Sequence, residues 1–209
     1  MPSSLENPSI KHINNDKDVA TKEVLHQHLY QAIRQKNYFR AIQLLDYCII
    51  QEPQNPNYYS NRGLIYYRCD QLSQAMTDYN QALQLNPYAD RIYTHRAQCS
   101  TALGHWNEAI ADYDCAIDIN PYNIKARIHQ GVLFRTLQMY DEAIVCFDLA
   151  LFLGKLSAHI YAERGRTYQL DGHWNCAMGD YQHALTILTA SPIQALESQI
   201  QIWIGELID

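Results

Sequence analysis

Residues 58–87 read YYSNRGLIYYRCDQLSQAMTDYNQALQLNP. Apolar side chains recur in this stretch at helical spacing in two blocks, 58–69 and 72–84, and Asn86-Pro87 closes the second. A proline just past a helix cannot continue it, so the pattern predicts two amphipathic helices joined by a short turn. Gly63 in the first block and Ala75 in the second are small enough to let two helix backbones approach closely. Tyr79 then fills the space beside them.

The pattern repeats. Steps of 34 residues from Gly63 land on Ala97, Gly131 and Gly165, all small. The same step from Ala41 gives Ala75, Ala109, Ala143 and Ala177, and from Cys48 it gives Ala82, Ala116, Ala150 and Ala184. Starting at Leu45 it gives Tyr79, Tyr113, Phe147 and Tyr181, all large. Pro53, Pro87 and Pro121 share a further column, which fails in the last two units. These columns keep one register without an insertion, and they divide the chain into units 22–55, 56–89, 90–123, 124–157 and 158–191. Each unit has a helix A and a helix B. One unit cannot bury its apolar face alone, so stability must come from stacking neighbours.

With these columns the chain resembles the tetratricopeptide-repeat (TPR) family, of the bacterial and more narrowly the cyanobacterial type, over residues 22–191. The resemblance implies an all-α, right-handed α-solenoid that acts as a protein-binding scaffold and adaptor. The first unit departs from the pattern at Leu29 and Ala32. Beyond the fifth, Ser191-Pro192 reads as a helix start, and Ile193, Leu196, Ile200, Trp203, Ile204 and Leu207 follow at helical spacing. Residues 192–209 are therefore expected to form a C-terminal capping helix. Ile202 breaks its one-sided pattern and leaves a homodimer contact as the alternative. Residues 1–21 are polar and are expected to form a flexible tail.

Composition narrows the function. The 209 residues are 47% hydrophobic, as in a folded globular chain. Lys plus Arg is 16 against 22 for Asp plus Glu, a net charge of -6, which argues against general affinity for nucleic acid or anionic membrane. No run of about 18 apolar residues is present, and residues 1–21 lack the apolar core of a secretory signal. A cytoplasmic location is expected, with the six cysteines, none in a CxxC pair, reduced and mostly buried.

One column pair carries a pairing rule. Arg62, Arg96, Gln130 and Arg164 face Asp78, Asp112, Cys146 and Asp180 in helix B. Arginine and aspartate occur together and disappear together, which predicts an interhelix ion pair. His105-Trp106 and His173-Trp174 recur after Gly104 and Gly172, where the tryptophan is expected to staple the turn into the core. His95 and His129 share an inward column but lack the further ligands a zinc ion needs. No nucleophile elbow, phosphate loop or zinc-protease helix is found, so no catalytic, cofactor or metal site is expected, and the chain reads as no enzyme.

The resemblance also implies that ligands meet helix-A positions two, five, six, nine, twelve and thirteen in the concave groove. The charged members there are Glu23, Arg34, Arg68, Arg91, Lys125, Arg135, Glu163 and Arg166, a net positive set in an acidic protein. The candidate partner-binding residues are Tyr30, Asn61, Tyr67, Arg91, His95, Lys125, His129, Arg135 and Arg166, and the partner expected is another protein or peptide segment, acidic in character. Some TPR domains clamp the C-terminal carboxylates of heat-shock chaperones. In those columns this chain has His26, Tyr30, Asn61, Arg91 and His95, of which Asn61 and Arg91 are of suitable type. A looser anionic site around Arg91, His95, Lys125 and His129 is expected to strengthen as pH falls through about 6.5. Self-association through the solenoid ends, resting on Ile202, Trp203 and Ile204, is the alternative function.

Overall fold

A computed structural model of the chain describes residues 22–154 and 157–208, and every regular element in them is an α-helix. The expected tail, 1–21, lies outside the described residues. Helix α1 covers 22–34, followed by α2 (Tyr38–Gln51), α3 (Pro56–Arg68) and α4 (Leu72–Leu85). Next come α5 (Asp90–Ala102), α6 (Trp106–Ile119), α7 (Ile124–Thr136) and α8 (Tyr140–Leu153). The last are α9 (Ala158–Leu170), α10 (Trp174–Ala190) and α11 (Gln194–Ile208). Odd-numbered helices from α1 to α9 are the helix A of each repeat, and the even-numbered helices from α2 to α10 are the helix B.

The helices form two compact units, one ending at Pro87 and one beginning at Tyr88. In the first, Leu29 and Ala32 of α1 are buried with Leu44, Leu45 and Cys48 of α2 and Tyr58 and Ile65 of α3. The residues that break the repeat pattern in α1 thus still supply core contacts. In the second unit each helix packs on the next in sequence, and the A helices also touch their successors, α5 on α7 and α7 on α9.

Packing explains the columns. Tyr79, Phe147 and Tyr181 are fully buried, each contributing roughly 1.5–3 kcal/mol of apolar burial. A Cβ placed on Gly63, Gly131 or Gly165 would come within 2.9 Å of the ring of Tyr79, Phe147 or Tyr181. Side-chain amides start three helices. Asn37 accepts from the Arg40 N–H, Asn55 from that of Asn57 and Asn123 from that of Ala126. Because Pro56 follows the Asn55 cap, α3 begins two residues earlier than the apolar pattern indicates.

Every turn from helix A to helix B contains one left-handed residue at the same 34-residue step. These are Lys36 (φ 56), Asp70 (φ 59), Gly104 (φ 77), Gln138 (φ 61) and Gly172 (φ 81). Only glycine adopts that conformation without steric cost. The tryptophans that follow the two glycines are not stapled into the core. Trp106 is 38% exposed and Trp174 58%, because each ring lies over the bare glycine of its own turn.

At the C-terminus the expected helix start moves. α10 runs on through Ala190, and Ser191 ends it, its N–H bonding to the Ile187 carbonyl, instead of capping the next helix. α11 begins at Gln194, with the Ile193 carbonyl accepting from Leu196 and Glu197. Ile193 is therefore outside the apolar row and exposed. Ile200 is fully buried, and Leu196, Trp203, Ile204 and Leu207 pack with it against Ala158, Ala162, Tyr181 and Leu188 of α9 and α10. Two residues of the self-association alternative, Trp203 and Ile204, are thus turned into this core, while Ile202 stays exposed.

Candidate functional site

The predicted ion pairs are present, and those of Arg62 and Arg164 carry a second arm. Arg62 Nε and Nη2 donate to the two carboxylate oxygens of Asp78 at 2.8 and 2.7 Å, and Nη1 reaches Asp46 of the preceding helix B at 2.6 Å. Arg164 repeats this with Asp180 at 2.8 and 2.7 Å and Asp148 at 2.5 Å. Arg96 forks onto Asp112 in the same way. In the fourth repeat Gln130 donates to Asp114 at 2.6 Å and accepts from the Cys146 thiol at 3.6 Å, a neutral version of the same bridge. The two carboxylates hold the Arg164 guanidinium above the ordinary arginine range. These arginines serve the fold. The column Asp46, Asn80, Asp114, Asp148 was a visible signal for the second arm that the pairing rule overlooked.

With them set aside, the A helices of the second unit still carry the positive charge. α5, α7 and α9 hold Arg91, Arg96, Lys125, Arg127, Arg135, Arg164 and Arg166 against Asp90 and Glu163. α6, α8 and α10 hold Glu108, Asp112, Asp114, Asp118, Asp141, Glu142, Asp148 and Asp180, with no lysine or arginine. The two helix layers thus have opposite sign.

On the positive side the N-termini of α5 and α7 border a cleft of about 500 Å³ lined by Asp90, Arg91, Thr94, His95, Asn120, Tyr122, Asn123, Ile124 and Lys125. Its polar floor is tied down. Asp90 Oδ2 accepts from the side-chain amides of Asn120 and Asn123 at 2.8 and 2.9 Å. Asn123 also donates to Thr94 Oγ1 at 3.0 Å while capping α7. Arg91 and Lys125 stand exposed at the rim, and among the described residues neither makes an ion pair. Asp90, Asn120 and Asn123 were missed in the sequence because they lie outside the six groove columns.

The other predicted residues separate. His95 lines the cleft, and His129 lies deeper in α7, its Nε2 2.8 Å from the Gln98 amide nitrogen. Burial, then neighbouring His159 and Lys125, depresses the His129 pKa, with Glu163 opposing. The expected strengthening at pH 6.5 therefore does not apply to His129, whose protonation is displaced to lower pH. Arg135 is engaged internally. Its Nη2 pairs with Glu163 Oε2 at 2.7 Å and its Nη1 donates to the Glu163 carbonyl at 2.9 Å. Arg166 binds Glu206 of α11 at 2.5 Å and lies 5.4 Å over the Trp203 ring, so it holds the last helix in place. In the first unit Tyr30 and Asn61 are exposed and Tyr67 half-buried.

Half of the cysteines are buried, fewer than expected. Cys48, Cys99 and Cys146 are inside, Cys69 is intermediate, Cys115 and Cys176 are exposed, and all six are free thiols. Among the described residues no group of histidine, cysteine and acidic side chains is arranged to hold a metal, and no helix is long and apolar enough to cross a membrane.

Helical hairpins at a fixed 34-residue step, with small and aromatic columns at their contacts, define a helical-repeat protein. Residues 56–88 match the tetratricopeptide repeat model, and the chain resembles tetratricopeptide-repeat proteins of known structure. Its fold is shared with a thermophilic TPR protein of Thermus thermophilus (TM-score 0.71, 16% identity, covering 89% of this chain and 98% of that one). MamA from Desulfovibrio magneticus RS-1 is similar as well (TM-score 0.71, 12% identity, 82% and 97% coverage). A third is YrrB, described as a TPR protein with an unusual peptide-binding site (TM-score 0.63, 17% identity, 93% and 98% coverage). At these identities the likeness is one of fold.

Proposed function

We propose that the chain is an adaptor whose helix-A face in the second unit, centred on the cleft between α5 and α7, binds a partner segment bearing acidic side chains or a free carboxylate. The observation that carries this reading is the pair Arg91 and Lys125. They flank a preformed polar cleft, are exposed, and form no ion pair among the described residues, whereas Arg135 and Arg166 are engaged internally. The peptide-binding site for which YrrB is described gives the same fold a precedent for such capture.

The test is fluorescence anisotropy with a labelled Asp/Glu-rich peptide and its Asn/Gln counterpart. Reversing both cations (Arg91→Glu with Lys125→Glu) removes two attractions and adds two repulsions of about 0.5 kcal/mol each, which predicts a loss of roughly 30-fold in affinity for the acidic peptide. Helicity and melting should not change, since both side chains are exposed. Equal binding of the acidic and amide peptides, or full binding by the double variant, would overturn the proposal.

A further inference from the structure

The outer side of α8 is apolar where its repeat position does not require it. Val145 is 54% exposed, Leu149 40% and Phe152 84%, spaced i, i+4 and i+7 along roughly 10 Å of one helix face. The opposite face of the same helix already places Ala143, Phe147 and Ala150 in the core. At the three outer positions α6 has Ala111, Cys115 and Asp118, and α10 has Gly179, His183 and Thr186. Stacking therefore does not call for the stripe. The stripe shares the outer side of α8 with the half-exposed Asp148, so α8 presents a mixed apolar and acidic face to solvent.

We infer that this face is a second docking surface, distinct from the cleft, and that its partner is a basic amphipathic helix. Charge selects the occupant. On these two helices, α6 and α8, Glu108, Asp118, Asp141 and Glu142 are exposed, and neither helix has a lysine or arginine. Arg164 of α9, which meets Asp148, is already paired with Asp180 as well. A second copy docking through the same patch would set these carboxylates against themselves, and an anionic lipid surface is repelled for the same reason. An acidic segment of the kind proposed for the cleft is excluded too. A helix with leucine-like residues at i, i+3, i+4 and i+7, flanked by Lys or Arg, meets both the stripe and its rim.

The probe is a labelled peptide of about 14 residues made of leucine and lysine in helical spacing, beside a scrambled peptide of the same composition. The protein should bind the helical version at least tenfold more tightly than the scramble. Leu149→Ser with Phe152→Ser should lose at least tenfold for the helical peptide while keeping its binding of the acidic peptide. Both side chains are exposed, so that variant folds. The Arg91→Glu, Lys125→Glu protein should still bind the leucine–lysine helix, so failure here and failure of the cleft reading are separable. Equal binding of helix and scramble would reduce the effect to bulk charge and overturn the inference. So would undiminished binding by the serine variant. A concentration-dependent dimer in sedimentation that the serine variant abolishes would make the face a self-interface and would likewise overturn it.

Discussion

Replacing Arg164 and Asp180 with the Gln and Cys that stand in their columns one repeat earlier separates the value of the ion pair from the cost of breaking it. Asp180 is nearly buried (side-chain exposure 6%) and accepts two charged hydrogen bonds from Arg164, at 2.8 and 2.7 Å. Arg164→Gln alone leaves that carboxylate desolvated with its fork removed, a loss of about 2–3 kcal/mol. Asp180→Cys alone is milder, about 1–2 kcal/mol, since Arg164 keeps the half-exposed Asp148 at 2.5 Å. If the two losses added, the double variant would fall by about 3–5 kcal/mol. Instead it recreates the Asp114–Gln130–Cys146 arrangement and should lie within about 1 kcal/mol of the parent. Urea unfolding of all four proteins, followed by far-ultraviolet circular dichroism, measures the coupling. A double variant as unstable as the sum of the singles would refute the claim that the repeat accepts a charged or a neutral bridge interchangeably.

The left-handed turn column predicts opposite signs at two sites. Gln138→Gly should raise stability by about 0.5–1 kcal/mol, the relieved strain exceeding the entropy glycine adds to the unfolded chain, and Gly172→Ala should lower it by about 1–2 kcal/mol. Thermal melts of the pair check this, and two shifts of one sign would contradict it. His129 predicts a pH effect. Because its folded pKa is depressed, the unfolded chain takes up a proton near pH 6.5 that the folded chain refuses. Its contribution is complete above that pH and is lost as pH falls toward the folded value. His129→Gln should lose less stability between about pH 7.5 and 5.5 than the parent, as read from urea midpoints at both pH values.

Much of the fold was legible because the columns encode geometry. Gly63 faces Tyr79, Gly131 faces Phe147, and the gap between them fixes the helix approach. The Arg62–Asp78 pairing was readable for the same reason, since its partners vary together at a constant spacing. Residues without a column counterpart were harder to place. Glu163 and Glu206 have no repeating equivalents, so their capture of Arg135 and Arg166 was invisible and both arginines were assigned to the groove. The start of α11 was misplaced because Ser-Pro suits a helix entry as well as an exit, and only the continuation of α10 through Ala190 decides between them. Burial of His129 is a tertiary property that its neighbours in the chain do not reveal.

The bridging side chains also bear on how the length of the array can change. Arg62, Gln130 and Arg164 each reach sixteen residues back and sixteen forward, linking consecutive B helices. Excision of residues 124–157 would bring Asp114 to the place of Asp148, sixteen residues before Arg164, with Asp180 still sixteen after it. The cut ends would meet with complementary chemistry already installed, as would the ends of a duplicated copy. This bridge is therefore generic, and recombination in whole 34-residue steps preserves it while the array lengthens or shortens.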